Sequence, residues 1–254
     1  MKLSLVAFLA VVALSLFLSF YNLPYGPPLT PPSPQFPLGT YVNGKNMINV
    51  NAVAVLNTLI FGGMVGVIEV SAALAYGFVS ATSGRRRTVM VRFLDAFNSI
   101  PRLPFLFALA LFYGSPEGAF LRSNFFLTAL IVALTGWFNY ARQVSEKLYF
   151  SYSPLLTKIP GGVSLYLLIF QYLPTLKGMG VKFFLPAVID GISTYTAMGV
   201  IAGVGDPNFP TLTTLLNASR LFTYWWLFLV PALFRAIVIV LLYVISDEVS
   251  KRYA

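Results

Sequence analysis

Residues 53–80 read VAVLNTLIFGGMVGVIEVSAALAYGFVS, a run whose one charged side chain is Glu69. A helix needs about 20 apolar residues to cross the hydrocarbon core of a bilayer, and a helix satisfies its own backbone there without water. The stretch therefore predicts a membrane-spanning helix. The same test predicts five more, at 3–21, 96–114, 125–140, 181–204 and 224–246. Composition points the same way. The chain has 254 residues, 57% of them hydrophobic and 10% charged, with a mean hydropathy of +0.78. Soluble domains carry about 25% charged residues, so too few remain to cover a water-facing surface, and a soluble enzyme is excluded.

The net charge is +9, yet the cations lie between apolar runs rather than on a basic face interleaved with aromatics, which argues against nucleic acid as a partner. The chain contains neither Cys nor His. Disulfides, cysteine metal sites and the commonest general base are therefore absent, and no catalytic or metal-binding set is expected. No G-x-x-x-x-G-K-[ST] occurs, so nucleotide phosphates have no P-loop to sit in. Gly203-Val204-Gly205 is only a fragment of a glycine-rich loop.

Cation placement orients the spans. With the N-terminus in the cytoplasm, the inner loops hold Arg85, Arg86, Arg87, Arg92, Arg142, Lys147, Lys158 and Lys177, and the inner ends add Lys2, Arg102, Lys182, Lys251 and Arg252. The outer loops hold Lys45, Arg122 and Arg220. Basic loops resist translocation, so six spans predict a multi-pass protein of the cell (inner or plasma) membrane with both termini cytoplasmic. The first run, after Lys2, exceeds the 7–15-residue core of a signal peptide and lacks a small-x-small cleavage site, so it reads as a retained helix.

The expected organisation is all-α. A first transmembrane helix covers 1–21, a proline-rich extracytoplasmic segment 22–52, and a five-helix core 53–246, followed by a cytoplasmic tail at 247–254. Within the core, 141–180 is expected to be a cytoplasmic loop. Pro24, Pro27, Pro28, Pro31, Pro32, Pro34 and Pro37 favour extended polyproline-II geometry, read as a stiff spacer or a docking strip. Segment 206–222, with Thr211, Thr213, Thr214 and Asn217, reads as a short helix near a pore mouth or as an ordinary loop. Asn217-Ala218-Ser219 fits a glycosylation acceptor on the outer side.

Glu69, Asp190 and Arg235 fall well inside apolar spans. A charge there is costly, so each should face the bundle interior, pair, or line a wet path. Two readings stay open. One is a solute route through Asp190, Ser193, Thr194, Thr196 and Glu69; the other is a structural pair such as Asp190 with Arg235. Helical spacing puts Asp190, Thr194, Ala197 and Ile201 on one face. Gly62 and Gly66 form a small-xxx-small pair that lets helix backbones approach.

Ser153-Pro154 reads as an N-cap followed by proline at the first helical position. Leu155-Leu156-Thr157-Lys158-Ile159 then gives about two turns, ended by Pro160-Gly161-Gly162. Such a short apolar-tipped helix suits a knob for a cytoplasmic partner, or an interfacial helix on headgroups.

Several motifs occur in a family order. They are Phe36-Pro37-Leu38-Gly39-Thr40 with Gly44-Lys45-Asn46, then Gly136-Trp137-Phe138-Asn139-Tyr140-Ala141-Arg142, then Gly161 with Leu173-Pro174. Gly203-Val204-Gly205 with Pro207 and Pro210 follows, and Trp225-Trp226 through Pro231 comes last. From about residue 36 onward the chain resembles the inner-membrane permease subunits of ABC importers, specifically the C-type subunit of the dipeptide, oligopeptide and nickel permease family. It departs from that pattern in three places. Leu155-Leu156-Thr157 stands where the family has Glu-Ala-Ala, Pro160 interrupts the coupling helix, and Thr196 occupies the place of an acidic residue in the fifth span.

The resemblance implies an alternating-access importer of type I architecture whose pore is shared with a second homologous permease subunit. Two ATPase subunits would hold ATP and Mg, and an extracytoplasmic binding protein would deliver an oligopeptide or oligosaccharide. Leu155, Leu156, Thr157, Lys158, Ile159 and Gly161 would dock on the ATPase. This chain itself would carry no cofactor and no enzymatic activity. The alternatives are an ATP-independent channel, a proton-coupled secondary transporter using Glu69 and Asp190, and a non-transporting anchor subunit of a membrane enzyme.

Overall fold

The computed structural model describes residues 2–21, 23–112, 124–156, 165–219 and 224–252. Helices α1 (Lys2–Phe20), α2 (Met47–Thr82), α3 (Arg87–Asn98) and α4 (Arg102–Phe112) lead into α5 (Phe125–Leu156) and α6 (Leu165–Ala202). The short α7 (Leu212–Ala218) and the long α8 (Trp225–Arg252) follow. No strand occurs among the described residues; Thr40 and Asn46 form an isolated antiparallel bridge. Helices α1, α2, α5, α6 and α8 are each long and apolar enough to cross a membrane. Helices α3 and α4 pass that test only together, and they bend by 66° at their junction.

That junction follows from the sequence. Pro101 has no N–H and its ring disfavours helical backbone at the residue before it. The helix expected at 96–114 therefore breaks at Ser99-Ile100-Pro101, and its inner half starts earlier, at Arg87.

Side-chain pairing shows that the bent pair crosses the bundle rather than turning back. Along α2 and α5, Phe61 meets Phe125, Glu69 lies against Gly136, and Ser80 bonds Ser145 at 2.9 Å. The two helices thus run parallel, so the chain between them must travel back across the full height. It does so in steps. The Tyr76 hydroxyl donates to the Met90 carbonyl near the end of α2, while Leu106 and Ala110 pack with Phe61 and Phe125.

The other pairings alternate. Helix α6 runs against α2, with Gly62 against Ile192, Gly66 against Val188 and Gly180 against Leu74. Helix α8 runs with α2, since Met47 packs with Trp226 and Leu227 and Val55 with Val238 and Leu242. Helix α1 runs against both: Asn49 Nδ2 donates to the Leu18 carbonyl at 2.6 Å, and Ser4 Oγ donates to Glu248 Oε2 at 2.9 Å. Among the described residues the helices thus pass the height of the bundle six times, counting the bent pair α3–α4 as one, and α1 begins at the end of the bundle where α8 finishes. That end also carries the basic run Arg85–Arg87, where the Arg87 guanidinium lies 3.9 Å above the Tyr149 ring.

Gly62 and Gly66 do what their spacing predicts. A Cβ at Gly62 would lie 2.7 Å from Ile192 Cγ1, and one at Gly66 2.8 Å from Val188 Cγ2. In an apolar medium helices associate through such close packing rather than through release of water.

Three expected boundaries move. The loop at 141–180 is mostly helix, because α5 continues to Leu156 and α6 starts at Leu165. Ala141 packs in one core cluster, and Val144 and Leu148 in the next with Tyr172 and Met179; Arg142, Glu146 and Lys147 occupy the more open side. Ser153-Pro154 consequently does not start a helix; it lies in the last turns of α5. The tail at 247–254 is likewise helical to Arg252, with Lys251 Nζ bonded to Asp247 Oδ2 one turn earlier at 2.6 Å.

The proline-rich segment does not stand off as an extended spacer. Gly26 N–H donates to the Gly44 carbonyl at 3.0 Å, and Thr40 N–H to the Thr30 carbonyl at 3.0 Å, so the segment folds back over the end of the bundle. Phe36 is buried there, its ring pressed on Gly26 where a Cβ would collide. The 206–222 region contributes α7, opened by a capping box between Thr211 and Thr214.

Candidate functional site

Arg102, expected at an inner helix end, lies at mid-bundle as the first residue of α4. The Pro101 break turns α4 so that this side chain reaches inward. Its Nη2 donates to Glu69 Oε1 of α2 at 2.8 Å and to the Val132 carbonyl of α5 at 2.6 Å, and its Nε donates to Thr135 Oγ1 at 3.2 Å. Its Nη1 donates to Asp190 Oδ2 of α6. One guanidinium therefore joins four helices.

The local sequence makes room for this. A Cβ at position 136 would fall on Glu69 Oε1 and on Arg102 Nη2, so only glycine lets the pair pass between α2 and α5. One turn further along α5, Tyr140 packs against Phe183 of α6 with ring centroids 5.2 Å apart. Arginine suits the position because its planar fork satisfies several acceptors at once, where lysine offers a single point charge.

Exposure divides the two carboxylates. The Glu69 side chain is fully buried at 0%, whereas that of Asp190 is 45% exposed. Glu69 Oε2 is buried without a hydrogen-bond partner. With one cation between two carboxylates the cluster carries an excess acidic group, and its open side is Asp190. Such an arrangement can hold a proton or attract a cation, and it can rearrange if α6 moves relative to α2.

The expected route residues separate here. Asp190 and Ser193 lie on the more open side of α6 together with Ala197 and Ile201. Thr194, expected on that face, is buried at 6%, since the open stripe follows 190, 193, 197 and 201 instead. Thr196 is also buried, with its hydroxyl 3.0 Å from that of Thr213 in α7. Glu69 joins the cluster from α2.

The pairing of Asp190 with Arg235 does not occur. Asp190 bonds Arg102, and Arg235 Nε is buried without a hydrogen-bond partner. Helical levels explain this: Arg235 sits one turn before Val238, which packs beside Val55 near the start of α2, while Asp190 follows Ile189 beside the Gly191–Val65 contact, further along α2 and within reach of Arg102.

Leu155 and Leu156 form the end of α5, and Thr157, Lys158, Ile159 and Gly161 lie outside the described residues. Beyond Leu148 and Tyr172, which pack with Ala81 at the end of α2, α5 and α6 each run on for seven or eight residues. At about 1.5 Å per residue that is roughly 10–12 Å. Phe150 and Phe170 on these arms are 75% and 69% exposed.

Two residues that hold helices together escaped the sequence reading. One is Arg102 as the hub, hidden because it follows a proline at what looked like a span end. The other is Asp206, whose Oδ2 accepts from the Phe125 N–H at 3.2 Å and so caps α5 from a distant loop. The chain matches no family model and no curated protein sequence.

Proposed function

We propose that the chain is the transmembrane permease subunit of an ATP-driven importer of the ABC class. It forms half of a translocation pore in the plasma or inner membrane, with both termini cytoplasmic. The solute is an oligopeptide or oligosaccharide handed over by an extracytoplasmic binding protein. A second homologous permease completes the pore, and ATP and Mg belong to two partner ATPase subunits. The observation that carries this reading is the pair of arms extending α5 and α6 past the end of α2, with Leu155 and Leu156 ending the α5 arm. Continuous rods with exposed aromatics suit docking into a motor subunit and transmit displacement better than loops do.

The Arg102 cluster supports a mechanism. Helix α5 carries the Val132 carbonyl and Thr135, α6 carries Asp190, and both reach the docking tips. A pull on the tips shifts these helices against α2 and α4 and redistributes Arg102 between its partners. Transport follows if ATP and solute favour different states of that arrangement. Asp190 and Ser193 on the open side of α6 are the route-lining residues of this scheme, with Thr194, Thr196 and Glu69 behind them.

The unpartnered Glu69 Oε2 favours a second reading, a proton-coupled secondary transporter. Solute uptake by cells expressing the full complex decides between them. ATP depletion abolishes uptake under the first reading, and collapse of the proton gradient abolishes it under the second. Crosslinkers placed at Leu155, Leu156 and Lys158 that capture no ATPase subunit would falsify the docking role.

A further inference from the structure

On the flank of the bundle, between α1, α2, α6 and α8, lies a groove of about 650 Å³. Leu5 and Phe8 of α1 and Leu59 and Gly63 of α2 form one side. Every described residue lining it from α6 and α8 is apolar or glycine as well. A Cβ built on Gly63 would meet no atom within 4 Å, so the floor of the groove is open there. Walls without a facing partner forfeit their dispersion contacts, and walls of this composition regain them from an apolar occupant.

The extent of the groove narrows the occupant. It runs from Val188 to Gly180 on α6 and from Leu242 to Val249 on α8, about 10–12 Å at 1.5 Å per residue. One leaflet supplies about 15 Å of hydrocarbon. The groove therefore suits a chain confined to one leaflet, whereas a partner helix crossing the bilayer calls for a seam along the full height. Its charged end is equally specific. Helical spacing continues the α6 stripe 188, 184, 181 to Lys177 and the α8 stripe 242, 245, 249 to Arg252. Each lies about one turn beyond the lining, toward the end that carries Arg85–Arg87. Both are exposed, and neither forms an ion pair with a described residue. The acids near Arg252 are engaged, Asp247 by Lys251 and Glu248 by Ser4.

We propose that the groove binds an acyl chain of an anionic phospholipid whose headgroup pairs with Lys177 and Arg252. An apolar slot one leaflet deep takes the chain, and two cations at its mouth take the negative charge, since each Lys or Arg near an anionic surface adds to the attraction. Occupancy closes the gap beside α1, the least buried of the long apolar helices, and fastens it to α6 and α8. The inference rests on the bundle spanning a membrane and not on coupling to a motor.

The test is native mass spectrometry of the purified full chain in detergent, titrated with dioleoyl phosphatidylglycerol or dioleoyl phosphatidylcholine. Phosphatidylglycerol binds saturably, and phosphatidylcholine about tenfold more weakly, as expected for two cations facing a headgroup of net negative charge. Replacing both cations, Lys177→Gln with Arg252→Gln, brings phosphatidylglycerol down to the phosphatidylcholine level and leaves the latter unchanged. Gly63→Leu fills the groove, keeps the parent Tm in lipid-free detergent and abolishes saturable binding of both lipids. Equal binding of the two lipids by the parent overturns the proposal, as does unaltered binding in either variant. Displacement of phosphatidylglycerol by inorganic phosphate would reveal an anion site without an acyl groove and would also overturn it. If Gly63→Leu instead turns a dimer of the chain into monomers, the groove is an interface between copies and the lipid assignment is wrong.

Discussion

Replacing Arg102 by Met removes the cation that Glu69 and Asp190 share while filling a similar volume. Glu69 is fully buried, and removing one partner of a buried pair typically costs about 3–5 kcal/mol because the other charge is left uncompensated. Asp190 is 45% exposed, so its loss adds about 1 kcal/mol at most. In chains of this size 1 kcal/mol shifts Tm by about 2–4 °C. The substitution should therefore lower Tm by roughly 6–24 °C on that scaling. Replacing Glu69 by Leu in the same chain removes the stranded carboxylate and should restore most of the loss, since apolar replacement of a buried pair is often neutral. Thermal unfolding in detergent, followed by tryptophan fluorescence, reads both effects. A single variant within about 3 °C of the parent, or a double variant no better than the single one, would refute the clamp as the element joining α2, α4, α5 and α6.

Gly136→Ala places a methyl group on Glu69 Oε1 and Arg102 Nη2; it should destabilise nearly as much as Arg102→Met, and Glu69→Ala should relieve it, both read as Tm. Asp206→Ala removes the cap on the first turn of α5 and should lower stability by about 1–2 kcal/mol, with Asp206→Asn retaining part of it in the same unfolding assay. Burial raises the Tyr41 phenol above its ordinary value of 10.0. The native phenol keeps its proton where the unfolded one has lost it, so stability falls as pH rises above about 10. Unfolding measured across that range should show a shallower alkaline decline for Tyr41→Phe.

Some of this protein is local chemistry and was legible in the order of residues. Runs such as 53–80 dictate helices because no other backbone satisfies itself in hydrocarbon. The Gly62/Gly66 spacing dictates a close helix contact, and Pro101 carries the signal for the bend in the third crossing, although hydropathy alone smooths over it. What tertiary structure alone decided is which charges meet. Asp190 pairs with Arg102 and not with Arg235, because antiparallel packing of α6 on α2 brings position 190 beside Val65, about one turn from Glu69 and within reach of Arg102, and no spacing rule encodes that level. The proline-rich segment likewise has an extended preference residue by residue, yet Phe36 and the Thr30–Thr40 hydrogen bond draw it into a cap. Side-chain burial outweighs a backbone preference of fractions of a kcal/mol, and burial exists only once the helices beneath the cap are assembled.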